Sequence, residues 1–508
     1  MNTTKLHKSF SLFLNLFIIT SFFAVSVPSS GNAIVKAQPV LMHIAASDQD
    51  QIVSIIVQKV TGATDVEKQV FRLGGKVTQD LSIINAFSAE MTAGAALEIA
   101  RSSEVHWVSL DAAMVSTGCT KCIDTSKLTN AYVRAIGADK IWNASPYLQG
   151  NGIGVAVVDS GVNQNGDLYT SAGINRQVAD VRFNHDYNQT ATDGYGHGTH
   201  VASIVGGDGS ESGGQYIGVA PMVNIINVKV SNDDGSAMMA DVVAGLQWVL
   251  NNKNTYNIRV VNLSLNSAVA ESYNTSPLDA AVEILWFNKI VVVVSAGNQG
   301  SGAIYPPAND PFVITVGATD DKGTNSISDD VMASFSAFGQ TSDGVKKPDL
   351  VAPGTNIVAR LVNQTMGLAG AHPSNKVGSQ YFRMSGTSMA APMVSAAVAI
   401  LLQDEPNLTP DQVKYRLTAT ANKSWASYSS TKSGAGYLDV YAAVNGTSTQ
   451  SANTGLKASN LLSTGSTPIT WNSVGWNSVG WNSVGWNSVG WNSVGWNSVG
   501  WNSDYWAP

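Results

Sequence analysis

Three short segments of this 508-residue chain contain side chains that together can perform nucleophilic catalysis. Asp159 lies in Asp-Ser-Gly, His197 in Gly-His-Gly-Thr-His, and Ser388 in Gly-Thr-Ser-Met-Ala-Ala-Pro. A serine hydroxyl becomes nucleophilic near neutral pH when an imidazole accepts its proton and a carboxylate orients that imidazole and stabilises its cation. The three residues therefore indicate acyl-transfer chemistry.

Each of these residues also has a purely structural interpretation. Asp159 ends an apolar run and could be a turn residue at the end of a strand, although α/β sites also lie there. His197 and His200 suit a metal pair or packing at a helix start, but the zincin pattern fails because no Glu follows His197. Ser388 could be the N-cap of a helix that runs to about Leu402. Only the three segments together, in this order, favour catalysis.

The order of the three residues along the chain carries a family resemblance. Asp, His, Ser is the order in subtilisin, whereas chymotrypsin-like chains have His, Asp, Ser and α/β-hydrolases have Ser, Asp, His. With the flanking residues given above, the chain resembles the subtilisin-like serine peptidases, the subtilase family. The resemblance implies a serine endopeptidase in which Ser388 is the nucleophile, His197 the general base and acid, and Asp159 the orienting carboxylate.

The oxyanion that forms during acyl transfer needs hydrogen-bond donors. Ser388 opens a helix, so its backbone N–H lies at the positive end of the helix dipole. Asn298 follows a run of valines in Ser-Ala-Gly-Asn and matches the oxyanion asparagine of the family, although a lone asparagine there is usually a turn former. The resemblance also implies a cleft that binds an extended peptide as an added strand. Substrate-binding residues are expected at Ser264, Leu265, Asn266, Ala296 and Gly297, and Asn266 replaces a glycine of the relatives.

The elements that must position these residues alternate between strands and helices. Buried strands are predicted at 153–158, 224–230, 260–265 and 290–295, and helices at 240–251, 277–287, 388–402 and 410–419. This alternation predicts an α/β fold with a subtilisin-like parallel sheet, helices on both faces and right-handed crossovers. The catalytic residues would then meet at the carboxyl ends of the strands.

The segment before the catalytic region has the organisation of a secreted precursor. Residues 1–37 combine a basic start, an apolar stretch and small residues that allow cleavage after Ala33 or Ala37, which is typical of a signal peptide. A retained membrane anchor is the alternative. Residues 38–120 predict a small α+β module, which could be a free-standing binding domain but resembles the family's inhibitory propeptide. The resemblance implies that it assists folding and blocks the cleft until an autolytic cut between Met114 and Leu128.

The region after the propeptide is predicted to contain a catalytic domain at 121–446, a flexible linker at 447–470 and a repeat tail at 471–508. The linker is rich in Ser, Thr, Asn and Gly. The tail repeats Trp-Asn-Ser-Val-Gly six complete times and contains eight of the thirteen tryptophans. A period of five suits neither a helix nor a strand, so a stack of turns or a disordered aromatic tail is expected.

The tail leaves a second class of function open. Exposed tryptophans favour sugar faces, membrane interfaces and self-association, so the tail could attach the protein to the cell envelope, to glycan or to other copies. A repeat with no binding role is the alternative. The chain could therefore be a secreted serine endopeptidase, with the tail as an attachment to the cell surface, or a surface-binding protein whose peptidase fold is only a scaffold. The complete set of four catalytic residues favours the enzyme.

Cysteine content, charge and metal ligands add narrower expectations. Cys119 and Cys122 are the only cysteines, and a local disulfide or two thiols lost during maturation is favoured over a zinc site or a redox motif. A net charge of −7 with 13% charged residues has no nucleic-acid footprint. The resemblance implies a structural calcium at Asp167, but the loop at 208–215 departs from the family's ligand loop. No cofactor is expected to be required for the chemistry.

Overall fold

A computed structural model describes residues 36–112, 122–185, 192–302, 304–362, 365 and 367–462, together with the backbone of Ser498–Gly500. The chain divides into two compact units, Met1–Gly118 and Cys119–Pro508. Each unit is described by itself. Residues 1–35 of the predicted signal peptide and most of the predicted repeat tail lie outside the described residues.

The first unit is a small α+β module, as the sequence predicted. Its elements are α1 (Pro39–Ser47), β1 (Ile52–Lys59), α2 (Val66–Arg72), β2 (Lys76–Leu81), β3 (Ala86–Thr92), α3 (Ala93–Ile99) and β4 (Val105–Leu110). The strands form one antiparallel sheet in the order β2-β3-β1-β4. Val53, Ile55 and Val57 alternate along β1 and are buried, so one face of the sheet packs against the helices.

The start of this unit lies inside the predicted signal peptide, 1–37. Ala37 is only 1% exposed and pairs with Val108 of β4. Lys36 accepts a hydrogen bond from the Val108 N–H at 2.9 Å, and its Nζ donates to the Val105 carbonyl at 2.7 Å. Residues 36 and 37 are therefore part of the folded module.

The second unit contains the remaining elements. In chain order they are α4 (Ala131–Ala135), α5 (Asp139–Trp142), β5 (Gly154–Asp159), β6 (Gln177–Arg182), α6 (His197–Gly206), β7 (Asn224–Lys229), β8 (Ala237–Met238), α7 (Met239–Asn252), β9 (Ile258–Leu263), β10 (Asn266–Ser267), α8 (Pro277–Phe287), β11 (Val291–Ser295), β12 (Ile314–Asp320), β13 (Val331–Met332), β14 (Gly339–Gln340), β15 (Lys346–Lys347), β16 (Leu350–Pro353), β17 (Ile357–Arg360), α9 (Gly367–Ala371), β18 (Lys376–Val377), β19 (Tyr381–Met384), α10 (Thr387–Asp404), α11 (Pro410–Thr420), α12 (Val440–Asn445) and β20 (Ser498–Gly500).

An eight-stranded sheet forms the centre of this unit. Seven strands follow the order β13-β12-β11-β9-β5-β7-β6, and β16 pairs with β12. All pairings are parallel except that of β12 with β13. Every residue of β5 and β11 is buried, which explains their continuous apolar sequences.

Helices cover the sheet as the α/β prediction requires. Helices α6 and α10 pack on each other and on the sheet, and α7 and α8 form a second pair against it. The predicted helix at 277–287 coincides with α8, which begins where Ser276 accepts a hydrogen bond from the Asp279 N–H. Among the described residues, α10 is the one helix with the length and hydropathy of a membrane span, and 89% of that stretch is buried in the domain.

The start of the catalytic unit is packed from Cys122 onward. Cys122 takes part in a disulfide, and Cys119 is the only other cysteine in the sequence. Ile123 exchanges two hydrogen bonds of 2.8 Å with the side chain of Asn143. Residues 122–128 therefore belong to the catalytic unit.

The first part of the predicted linker is not a free connection. Ala458, Ser459 and Leu462 are buried, and the Ser459 N–H donates to both carboxylate oxygens of Glu283 in α8, at 3.0 and 2.7 Å. The Asn453 side chain also donates to Asp411 in α11 at 2.7 Å. Residues 447–462 are thus an ordered extension of the catalytic unit.

The described part of the tail differs from the expected turns. Ser498–Gly500, the end of the sixth repeat, forms β20, which lies between β10 and β8 in a three-stranded antiparallel sheet. The three described residues of this repeat are thus extended rather than in a turn.

Candidate active site

Asp159 and His197 meet at the carboxyl end of the sheet. Asp159 is the last residue of β5, and His197 is the first residue of α6. The imidazole Nδ1 lies 2.9 Å from Asp159 Oδ1 and 3.1 Å from Oδ2, and both side chains are completely buried. A carboxylate at Nδ1 fixes the ring orientation and favours the tautomer with the proton on Nδ1.

A second buried carboxylate, Asp193, holds the start of α6. Its Oδ1 accepts from the Gly196 N–H at 2.7 Å, and its Oδ2 accepts from the Thr199 N–H at 2.8 Å. The Ser160 hydroxyl donates to Asp193 at 2.9 Å and accepts from the Gly198 N–H at 2.9 Å. These bonds satisfy backbone donors that a helix start leaves unpaired, while burial raises the pKa of the Asp193 carboxyl. Sequence analysis did not identify Asp193, which lies in a polar segment without an apolar pattern.

Ser388 is the second residue of α10 and is 5% exposed. Its hydroxyl donates to the Ser264 carbonyl at 3.2 Å, and the Ser264 hydroxyl donates to the Ser388 carbonyl at 3.0 Å. The Ser264 hydroxyl accepts from Asn262 at 2.9 Å. Ser388 is therefore tied to the segment that follows β9, where the sequence predicted substrate-binding residues.

Asn298 follows β11 and contacts the start of α10. Its Oδ1 accepts from the Thr387 N–H at 2.9 Å and from the Thr387 hydroxyl at 3.0 Å. The same hydroxyl accepts from the Gly297 N–H at 3.1 Å. Because Oδ1 accepts from Thr387, the Nδ2 amide is the group of Asn298 that can donate hydrogen bonds. Thr387 thus orients Asn298. The one feature of the sequence that could have indicated this role is the position of Thr387 directly before Ser388.

The predicted substrate-binding residues lie on two neighbouring segments. Ser264, Leu265 and Asn266 follow β9, and Ala296 and Gly297 follow β11, which is the parallel neighbour of β9. The Asn266 side chain donates to the Ser295 carbonyl at 3.0 Å and is 8% exposed. The residue that replaces the family's glycine therefore joins the two segments.

His200 does not form a metal pair with His197. Its Nε2 lies 3.0 Å from the Phe382 carbonyl, and burial lowers its pKa to about 3. A buried neutral imidazole bonded to the backbone is a structural residue. In the parts of the chain that the structure describes, no group of three or more His, Cys, Asp or Glu residues could hold a metal ion.

The surroundings of Asp167 do not fit the calcium ion that the resemblance implied. The Asp167 carboxylate accepts hydrogen bonds from the Tyr381 hydroxyl at 2.7 Å and from the Glu211 N–H at 2.8 Å. The Ser210 hydroxyl donates a longer one at 3.4 Å. Arg176 donates to the Asp167 carbonyl at 2.6 Å. Calcium needs six to eight oxygen ligands, whereas hydrogen-bond donors surround this carboxylate.

Replacing Asp167 by Asn should lower the melting temperature equally with and without EDTA. Charged hydrogen bonds contribute about 1.5–3 kcal/mol each, and the buried carboxylate accepts two short ones. Thermal melts of wild type and variant, each with EDTA and with excess calcium, measure the effect. A melting temperature that calcium raises in wild type but not in the variant would show that Asp167 does bind the ion.

Known proteins are similar in sequence to the part of the chain that contains this site. The model of the subtilase family of peptidases matches residues 150–466, which contain Asp159, His197, Asn298 and Ser388. The chain belongs to the subtilase family. Serine protease AprX of Bacillus subtilis strain 168 is 38% identical over 332 residues, which cover 64% of this chain and 73% of AprX. The predicted family, fold class and enzyme class, a subtilisin-like serine peptidase, are confirmed.

Other subtilases are similar over shorter stretches. Subtilisin Savinase of Lederbergia lenta is 32% identical over 274 residues, which cover 54% of this chain and 85% of Savinase. The crystal structure of fervidolysin from Fervidobacterium pennivorans, a keratinolytic enzyme related to subtilisin, aligns with a TM-score of 0.48 and 25% identity. That alignment covers 80% of this chain and 62% of fervidolysin.

Proposed function

We propose that this subtilase is a secreted endopeptidase that cleaves proteins through an acyl-enzyme on Ser388. The contact of 2.9 Å between His197 Nδ1 and Asp159 carries the proposal, because it leaves the other nitrogen, Nε2, to exchange the proton. Nε2 accepts the Ser388 proton as Oγ attacks the substrate carbonyl carbon, and then passes it to the departing amine. Water then attacks the ester, with the same nitrogen as its base, and releases the acyl group.

Charge develops on the carbonyl oxygen of the substrate in both steps. The Ser388 N–H at the start of α10 and the Nδ2 amide of Asn298 are the two donors for this oxyanion. Thr387 supports this role because its contacts at 2.9 and 3.0 Å hold the other end of the Asn298 amide. Such preorganised donors lower the barrier because they need no reorientation as the charge forms.

A covalent serine probe tests the catalytic assignment directly. A fluorophosphonate should label the wild-type enzyme and fail to label Ser388→Ala. Ser385→Ala is a matched control, because Ser385 is also buried but accepts a hydrogen bond from the Asn356 N–H at 2.9 Å. Labelling of Ser388→Ala would reject the proposal. So would a processed wild-type enzyme that stays unlabelled under conditions in which the probe labels subtilisin.

Asn266 is proposed to limit the size of the substrate side chain that is accepted immediately before the cleaved peptide bond. Its contact with Ser295 joins the segments after β9 and β11, between which that side chain would enter. Asn266→Gly should therefore raise kcat/KM for a large aromatic side chain, relative to alanine, by about tenfold or more, since pocket size discriminates by about 1–3 kcal/mol per methylene. Peptides that differ only at that position measure the ratio, with Asn266→Ala as the intermediate variant. An unchanged ratio would contradict this role.

Secretion and autolytic maturation complete the proposal. The basic and apolar start of the chain supports export, and the packing of Lys36 and Ala37 supports removal of the signal peptide after Ala33. The first unit is proposed to be the inhibitory propeptide. Because Ile123 and Leu128 pack on the catalytic unit, the maturation cut is proposed between Met114 and Cys122, so that Cys122 stays with the mature enzyme.

A further inference from the structure

One triplet of the repeat tail occupies a gap between two segments of the catalytic unit. Gly500 pairs with Asn266 and Val499 with Ser267 on one side. On the other side Val499 pairs with Ala237, and Ser498 with Met238. Both pairings are antiparallel, so the backbone of Ser498–Gly500 is the central strand of a small sheet whose edges belong to β10 and β8.

The direction of this strand relates it to the nucleophile. From Val499 to Gly500 the partner changes from Ser267 to Asn266, so the tail runs toward the residues that precede β10. Those residues are Leu265 and Ser264, and the Ser264 carbonyl accepts the Ser388 hydroxyl at 3.2 Å. The triplet therefore lies on the line along which an extended substrate would approach Ser388.

The opposite edge is joined through Ser231 to the backbone of Asp159. Ala237 of β8 pairs with Ser231, and the backbone N–H groups of Val230 and Ser231 donate to the Asp159 carbonyl at 2.9 and 3.3 Å. The gap filled by β20 is thus bounded by β10, which closely follows the Ser388-bonded residue Ser264, and by β8, which pairs with Ser231, a residue bonded to the Asp159 backbone. A strand in this gap excludes any other extended peptide from the same backbone hydrogen bonds.

The composition of the repeat suits this position. Ser-Val-Gly contains no charge and no proline, and valine favours the extended conformation. The same triplet recurs in all six complete copies. We propose that the tail is an internal competitor of the substrate, in which one Ser-Val-Gly triplet at a time binds between β8 and β10 and blocks the cleft. This inference rests on the proposed peptidase function and assigns the repeat a regulatory role at the same site.

Covalent attachment makes weak binding sufficient. A linked segment acts at an effective concentration that is roughly millimolar for short flexible connections. A triplet with a millimolar or lower dissociation constant would then occupy the cleft for half of the time or more. Competition of this kind raises the apparent KM and leaves kcat unchanged, because saturating substrate displaces the tail.

Removal of the tail provides the first test. Mature enzyme that lacks residues 463–508 should have a KM about two- to tenfold below that of mature full-length enzyme, with the same kcat, for a peptide substrate. Two full-length variants isolate strand pairing from the presence of the tail. Replacing the six repeat valines by proline should lower KM as truncation does, because proline disrupts strand pairing, whereas replacing them by threonine should keep the wild-type KM.

A peptide added in trans provides the second test. A capped peptide of three Trp-Asn-Ser-Val-Gly units should inhibit the truncated enzyme competitively, and its Val→Pro version should not. The first peptide should also bind the truncated Ser388→Ala protein, as measured by fluorescence anisotropy of a labelled peptide. If the truncated enzyme slowly cleaves the repeat peptide while that peptide competitively inhibits turnover of the substrate, this result would also support occupancy of the cleft.

The outcomes separate this inference from the proposed function. Equal KM values for full-length and truncated active enzymes, with no binding of the peptide, would overturn the competitor role and leave the peptidase intact. Retention on glycan or lipid vesicles that requires the tail, together with unchanged KM, would overturn it in favour of attachment. A truncated enzyme that neither turns over substrate nor reacts with a serine probe would instead reject the peptidase function.

Discussion

Replacing Ser388 by alanine is expected to lower kcat by about 10⁶, the size of the loss on removal of the nucleophile of subtilisin, itself a subtilase. Alanine has no hydroxyl to form the acyl-enzyme, so His197 and Asp159 have nothing to activate. The residual activity should reflect only binding and the oxyanion donors. The mature domain, folded with its propeptide supplied separately, gives this value in a peptide assay without any need for self-processing.

The same substitution should also block maturation. Full-length Ser388→Ala precursor is expected to accumulate uncut, because removal of the propeptide is proposed to be autolytic and the variant has no nucleophile. Ser385→Ala is the control that should process normally. Complete processing of purified Ser388→Ala precursor, with no other protease present, would rule out autolysis, whereas appreciable turnover by the variant would contradict the catalytic role of Ser388.

Replacing Asp159 by asparagine is expected to lower kcat by about 10⁴. The Asp159 carboxylate lies 2.9 Å from His197 Nδ1, and its Oδ1 also accepts the Ser160 N–H at 2.7 Å. An asparagine whose oxygen keeps the Ser160 bond presents its NH₂ group to Nδ1. The imidazole would then carry its proton on Nε2, where it cannot accept the proton of Ser388.

Asp193 provides the matched control for this prediction. It is also a buried carboxylate, but its partners are the N–H groups of Gly196 and Thr199 and the Ser160 hydroxyl. Asp193→Asn should lower the melting temperature, because it weakens charged hydrogen bonds at the start of α6, and should reduce kcat far less than Asp159→Asn. Measurements of kcat and melting temperature on both variants make the comparison. Equal losses of kcat would show that Asp159 acts only by holding the local structure.

The sequence predicted those parts of the site that short segments determine. Each of the four residues Asp159, His197, Asn298 and Ser388 lies at or just after the end of a strand or at the start of a helix, and the parallel sheet brings such ends together. Their chemical roles stay predictions until the variants are measured. Asp193 escaped prediction because its function depends on hydrogen bonds to backbone groups that the fold alone brings within reach.

Composition was a weaker guide at the end of the catalytic unit. Residues 447–462 are rich in Ser, Thr, Asn and Gly, which indicated a free linker. The structure instead buries Ser459 against Glu283, whose pKa burial raises well above its usual value. Polar residues can be buried when each finds a partner, and a pattern of residue types does not reveal partners so distant in sequence.

Leu462 is the last packed side chain of the catalytic unit among the described residues. Gain or loss of whole five-residue units within 471–500 would leave residues 36–462 of the sequence unchanged. Under the competitor mechanism each added copy supplies one more equivalent triplet, so the length of the array would set the resting activity of the enzyme.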